Sequence, residues 1–195
     1  MLFRSVSFAL KPHELLHVVG ANGSGKSSLL RIACGLLEPS AGEVRWNGAA
    51  INGLHEDYSR GLAYVGHADG LNQDLTASEN LRIACVLSHV KPDHGLVTRT
   101  LAALALDRCA REPVRTLSQG QRRRAAIARL VLAEDKPLWL LDEPFSALDA
   151  SAVEYVSGLV ETHCARGGMV IMTTHDRLPR LRAGARELVL SESVS

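Results

Sequence analysis

No stretch of this chain approaches the roughly 18 consecutive apolar residues that a membrane-spanning helix needs. Its first residues also lack the basic, apolar and small-residue succession of a secretory signal. Neither sign of charge prevails: 22 Lys and Arg stand against 21 Asp and Glu, a net charge of +1. Such a balance argues for neither a nucleic-acid partner nor a polybasic membrane surface. The run Arg122-Arg123-Arg124 reads as a solvated helix face. Cysteine is scarce, and Cys34, Cys85, Cys109 and Cys164 have neither metal-ligand nor redox spacing. They read as reduced core thiols of a cytosolic protein. Repeats and low-complexity tracts are missing. The His residues are scattered, with His89, His94 and His163 expected at the surface. What remains is an ordinary globular composition, 46% hydrophobic over 195 residues, enough for one domain with a sizeable core.

Against that plain background, Gly20-Ala21-Asn22-Gly23-Ser24-Gly25-Lys26-Ser27 matches the phosphate-loop pattern G-x-x-x-x-G-K-S/T. The apolar run Leu15-Leu16-His17-Val18-Val19 before it reads as a strand. Residues from Ser27 to Cys34 read as a helix ending near Gly35. In that context the glycines let backbone N–H groups converge on phosphate oxygens, and the helix N-terminus adds its positive dipole end. Lys26 is placed to reach the outer phosphates and Ser27 to ligate Mg²⁺. Gly20, Ala21, Asn22, Gly23, Ser24, Gly25, Lys26, Ser27 and Ser28 are therefore the expected nucleotide contacts.

Lys136-Pro137-Leu138-Trp139-Leu140-Leu141 is too continuously apolar for a half-exposed strand and reads as a buried parallel one. Asp142 falls at its carboxyl end, where ligands of open α/β sheets gather, and is expected to hold Mg²⁺. Glu143 follows, placed to polarise an attacking water. Two adjacent carboxylates with separate tasks suit metal-assisted phosphoryl transfer to water.

Leu117-Ser118-Gln119-Gly120-Gln121 opens another helix, with Ser118 at the N-cap. A Ser hydroxyl and free backbone N–H groups at a helix start form a second phosphate site. With Ser146-Ala147-Leu148-Asp149 and His175 behind the strand Gly168–Thr174, the full set resembles the ABC ATPase family along nearly the whole chain. Gln119 departs from the usual L-S-G-G-Q signature.

The resemblance implies an α/β phosphate-loop fold with a mixed or parallel sheet and a small helical subdomain. It implies ATP and Mg²⁺ as cofactors and a homodimer in the ATP state. It also implies that Ser118, Gly120 and Gln121 contact the γ-phosphate held by the other copy. One continuous helix of about 14 residues at 1.5 Å each would carry Ser118 roughly 20 Å from Asp142, which favours such a shared site. Asp149 belongs to the loop joining the two sites. His175 corresponds to the family's switch histidine, able to bond the γ-phosphate and orient water. His67 stands where the family usually has a Mg²⁺-touching, partner-sensing glutamine; a structural role for it stays open. The family's adenine-stacking aromatic is either absent or cut off ahead of Met1, so phosphate recognition is expected to dominate. Phe3 and Phe8 belong to an alternating run, Leu2 to Phe8, that reads as strand.

Residues 1–66 and 136–195 are expected to form the nucleotide-binding core and 67–135 the helical subdomain. Trp46-Asn47-Gly48 reads as a hairpin turn. Thr76-Ala77-Ser78-Glu79 reads as a capping box.

Finer resemblance points to the ATP-binding subunits of the bacterial cytochrome c maturation (Ccm) system, also called haem exporter ATPases. It rests on three stretches: Gly66-His67 with Leu75 to Leu81, Leu138 to Asp142, and Gly167 to His175. It implies a peripheral subunit on the cytoplasmic face of the inner membrane, with a separate integral membrane permease and haem-handling partners. A soluble ABC ATPase of iron–sulfur assembly, or a transporter subunit for another solute, remains the alternative. Nucleic-acid mechanics would need long coiled-coil insertions or a tandem second half, and neither is present.

Overall fold

The computed structural model describes residues 6–88, 90–174 and 184–190. Along the chain run β1 (Leu15–Val19), α1 (Lys26–Ala33), β2 (Arg45–Trp46), β3 (Ala49–Ala50), α2 (His55–Arg60), β4 (Leu62–Val65), α3 (Ala77–Leu87) and α4 (His94–Ala103). There follow α5 (Gln119–Ile127), β5 (Leu138–Asp142), α6 (Ala150–Ala165), β6 (Met169–Thr173) and β7 (Ala185–Val189), with short 3₁₀ turns between. Five strands pair in the order β4-β5-β6-β1-β7, every neighbouring pair parallel.

Burial follows the strand order. β5 is buried at all five positions and β1 and β6 at four each. The flanking β4 and β7 are mostly half-exposed or exposed. Parallel strands covered on both faces must be apolar almost throughout. On one face Leu16, Val18, Leu138, Leu140 and Ile171 pack with Leu29 and Leu30 of α1. Val6 and Phe8 lie half-buried against this core without strand pairing; the alternation from Leu2 to Phe8 therefore reports packing there, while residues 1–5 lie outside the described ones. The two-residue turn between β2 and β3 places Asn47 at φ 50° and Gly48 at φ 85°. These left-handed values fit the twist of a tight hairpin.

Two compact units are resolved. One comprises 1–67, 136–144 and 161–195, the other 68–135 and 145–160. In the second, Leu81, Cys85, Val97, Leu101, Leu106, Val114, Leu117 and Ala128 form a core of their own. The capping box holds: Thr76 Oγ1 accepts from Glu79 N at 3.1 Å, and the Glu79 carboxylate accepts from Thr76 N at 2.8 Å. Among the described residues this unit has only an isolated Thr76–Pro113 bridge and no strand. The segment expected as one helix from Arg122 to Leu132 divides instead: α5 ends at Ile127 and a six-residue 3₁₀ turn continues to Ala133. Ala128, Leu130, Leu132 and Ala133 in that turn are all buried. The distance reckoned from one continuous helix therefore does not apply.

Two expectations need correction. Arg123 is buried, and its guanidinium lies 3.8 Å from the Asp69 carboxylate, so the arginine run is not a solvated face throughout. A buried charge needs such a partner. His163 is not at the surface either. It is 5% exposed and stacks on Trp139, rings 4.0 Å apart and 8° from coplanar. A planar imidazole inside an apolar core gains from such a face. His94 is exposed as expected, and His89 lies outside the described residues. The four cysteines are free thiols, two of them buried and two partly so.

Gly168 completes the stack, because a Cβ there would lie 2.2 Å from His163 Nε2. Gly168→Ala is expected to lower stability by about 1–3 kcal/mol, the usual cost of overpacking. In a urea-unfolding double-mutant cycle, His163→Ala should remove part of that cost. Additive effects would show that the two sites do not press on each other.

Candidate functional site

The strand register builds the site. Val18 pairs with Thr173 across β1 and β6, and Thr173 with Asp142 across β6 and β5. The carboxyl ends of the three strands therefore finish level, and the phosphate loop, Thr174 and Glu143 leave the sheet side by side. At about 4.8 Å per strand, β1 and β5 stand roughly 10 Å apart.

At the first end, Gly25 caps α1 at φ 97°, with no side chain spent on the helix N-terminus. The left-handed value suits glycine, and the free helix start suits an anion. Lys26 is buried, and its Nζ donates to Gly20 O at 2.8 Å and Ala21 O at 3.0 Å. The Ser24 hydroxyl is buried, with no hydrogen-bond partner among the described residues. Ser27 and Ser28 lie half-buried in the first turn, while Ala21, Asn22 and Gly23 are exposed.

At the third end, Asp142 is 1% exposed and accepts the Thr173 hydroxyl proton at 2.7 Å. Glu143 has φ 52°, a left-handed backbone that costs a residue with a side chain roughly 1–2 kcal/mol. Its N–H donates to Thr173 O at 3.2 Å and Thr173 Oγ1 at 3.0 Å. Between the two ends, Thr174 Oγ1 bonds His17 Nε2 at 2.9 Å. His175 itself lies outside the described residues. His67 is exposed at the end of its unit.

The donor set fits the expected metal. A Ser hydroxyl and one carboxylate are hard oxygen ligands, and Mg²⁺ characteristically takes one or two carboxylates with substrate phosphates. Among the described residues no cluster of three or more His, Cys, Asp or Glu forms a protein-only cage.

In the other unit, Ser118 Oγ accepts from Gln121 N at 3.2 Å while Gln121 Oε1 accepts from Ser118 N at 2.8 Å. The two side chains lock each other into a capping box. Gly120 meets the 145–160 segment: a Cβ there would lie 2.8 Å from Ala147 O. Asp149 caps α6, accepting from Ala152 N at 2.9 Å and the Ser151 hydroxyl at 2.9 Å. Arg124 reaches the same carboxylate at 3.5 Å. The Ala152 N–H is the main reason that the Asp149 carboxyl titrates below its usual range. Ser118, Gly120, Gln121 and Asp149 thus share one unit, and the phosphate loop, Asp142 and Glu143 share the other.

Sequence reasoning missed His17, Thr173 and Arg124. The signal for His17 was visible, a polar side chain inside an otherwise apolar strand.

Burial pushes the pKa values of both His17 and His163 below the ordinary histidine value, Glu187 opposing this in part for His17. The unfolded chain binds protons near 6.5, so the folded state is fully favoured above that pH. It loses stability as pH falls from there toward the depressed folded values. Urea midpoints at pH 7.5 and 5.5 should therefore fall less in His17→Gln/His163→Gln than in the wild type. An equal fall would assign the acid sensitivity elsewhere.

The ABC transporter family profile matches residues 3–146. A relative from Nitrosomonas europaea, named cytochrome c biogenesis ATP-binding export protein CcmA, is 49% identical over 97% of this chain and 89% of its own. A protein of the same name from Methylococcus capsulatus is 44% identical over 98% of this chain and 91% of its own. Among solved structures, an ATP-binding subunit of an ABC transporter superposes with TM-score 0.84 at 27% identity, covering 97% of this chain and 79% of that one. The dimeric structure of MJ0796, a bacterial ABC transporter cassette, superposes with TM-score 0.81 at 31% identity, covering 97% of this chain and 86% of that one.

Proposed function

The chain belongs to the ABC transporter family and is an ATP-hydrolysing ABC ATPase; from that premise we propose that it drives a membrane complex of cytochrome c maturation, in haem handling or export. The observation that carries this reading is the shared name of relatives nearly half identical along almost the entire chain. In this reading the chain is peripheral on the cytoplasmic face of the inner membrane and works with a separate integral permease and haem-handling partners. Among the described residues no helix is long and apolar enough to cross a membrane.

The proposed roles follow the strand ends. The loop Gly20 to Ser28 cradles the phosphates, with Lys26 on the outer ones. Mg²⁺, held by Ser27 and Asp142, would neutralise phosphate charge. Glu143 polarises the attacking water and His175 orients it at the γ-phosphate. His67 serves near the metal as the family's glutamine does. A second copy contributes Ser118, Gly120 and Gln121 to the γ-phosphate, with Asp149 linking the two sites. The dimeric cassette among the structural neighbours supports this arrangement.

Glu143→Gln should bind ATP yet lose roughly 100-fold or more in turnover, within the range set by removing a general base. Lys26→Ala should weaken ATP binding itself. Light scattering of Glu143→Gln should show a dimer in saturating ATP and Mg²⁺. Wild-type turnover in Glu143→Gln would remove it as the base.

Deleting the gene should abolish covalently haem-bound c-type cytochromes while b-type haem proteins persist, and a Lys26→Ala copy should not restore them. Normal c-type cytochromes would refute the physiological reading and leave the ATPase intact. Selective loss of iron–sulfur enzymes would favour a role in cluster assembly instead.

A further inference from the structure

Thr173 is fully buried at the last position of β6, between the strands that carry the phosphate loop and the two acids. Its neighbours on β6, Val170, Ile171 and Met172, are apolar and buried. Valine would fill the same volume and suit a strand at least as well. A hydroxyl in such a place is a liability unless its hydrogen bonds are made. Here both capacities are used. The single proton goes to Asp142 Oδ1 at 2.7 Å. A hydroxyl that has given its proton one way presents lone pairs the other way, and there the N–H of Glu143 donates at 3.0 Å. The same N–H also reaches the Thr173 carbonyl at 3.2 Å. Glu143 is the residue held at φ 52°.

We propose that Thr173 is a positioning residue for hydrolysis, its hydroxyl fixing the Asp142 carboxylate and the left-handed backbone of Glu143 as one unit. The inference rests on the metal and water-polarising roles given to those two acids above. The hydroxyl bonds Asp142 and the Glu143 N–H, and it acts through these neighbours. Removing it takes one hydrogen bond from the Asp142 carboxylate and one acceptor from the strained Glu143 peptide. The backbone pairing of residue 173 with Val18 and Asp142 does not involve the hydroxyl and survives its loss. Phosphate binding through Lys26 should therefore persist while the hydrolytic step and the demand for Mg²⁺ change. That split separates positioning from general damage, because a collapsed strand end would weaken ATP binding too.

The test compares the purified full chain with Thr173→Val, Thr173→Ser and Thr173→Ala, using Glu143→Gln and Asp142→Asn as references. Turnover, ATP affinity, Mg²⁺ half-saturation and melting temperature are measured for each. Thr173→Val should lose about tenfold or more in kcat and need about threefold or more Mg²⁺, with ATP affinity within about threefold of wild type. Thr173→Ser, which keeps the hydroxyl, should recover most of that loss. Turnover in Thr173→Val within about twofold of wild type would overturn the inference. Thr173→Ser as slow as Thr173→Val would also overturn it, by assigning the effect to the methyl group. Should Thr173→Val not melt cooperatively, Thr173→Ala against Thr173→Ser decides by the same comparison. Wild-type turnover in the two reference variants would instead overturn the site reading beneath the inference.

Discussion

The candidate site in the sheet-bearing unit depends on the hydrogen-bonded register between three parallel strands. Val18, Thr173 and Asp142 face one another across the ladder, so the functional groups that follow each strand emerge at one level. Register in a parallel sheet is pinned by which residues face inward, and a slip of one residue would turn every side chain to the opposite face. Here the pattern on one face is Leu16, Val18, Leu138, Leu140 and Ile171 against α1. On the other, Trp139 lies against His163. The two apolar faces thus set the height at which the acids stand beside the phosphate loop. Packing and chemistry are one constraint in this sheet.

The second unit solves a different problem. It presents the start of α5 without a sheet to align it, and uses local bonds instead. Ser118 and Gln121 cap each other, and Gly120 leaves room for Ala147 O. Arg124 and the N-terminus of α6 share the Asp149 carboxylate. Ala147 is another non-glycine residue with left-handed backbone, at φ 60°. Strained backbone of this kind occurs where the surrounding structure over-determines it, and both Ala147 and Glu143 lie in segments given functional roles.

Those parts of the site that depend on short sequence distances were legible in advance. The phosphate loop, the acids at the end of β5, the capping box at Thr76, the N-cap at Ser118 and the hairpin at Asn47-Gly48 are local patterns with a physical reason at each position. Contacts between distant segments were not legible. His163 looked like one more scattered polar residue, because nothing near it in sequence announces Trp139 or the space left by Gly168. Arg123 looked solvated because its counter-charge, Asp69, is 54 residues away. Thr173 was legible only as part of the strand ahead of His175, since the value of its hydroxyl lies in a neighbour on another strand. The break between α5 and its 3₁₀ continuation also escaped, as no Gly or Pro marks it. Periodicity reports which residues are buried, whereas partners across the fold are set by topology.

The self-contained arrangement of Lys26 carries a thermodynamic consequence. Its ammonium already rests on the carbonyls of Gly20 and Ala21, deep in the loop. Long side chains lose up to about 2 kcal/mol of rotamer freedom when they are fixed. For Lys26 that loss belongs to folding and is not charged again when an anion arrives. In the role proposed for Lys26, an incoming phosphate would exchange with neutral oxygens for a cation already held in place, and charge-assisted bonds are the stronger kind. Affinity at this loop should therefore come from an exchange of partners within a rigid cradle, the preorganisation that lets few contacts hold a small ligand tightly.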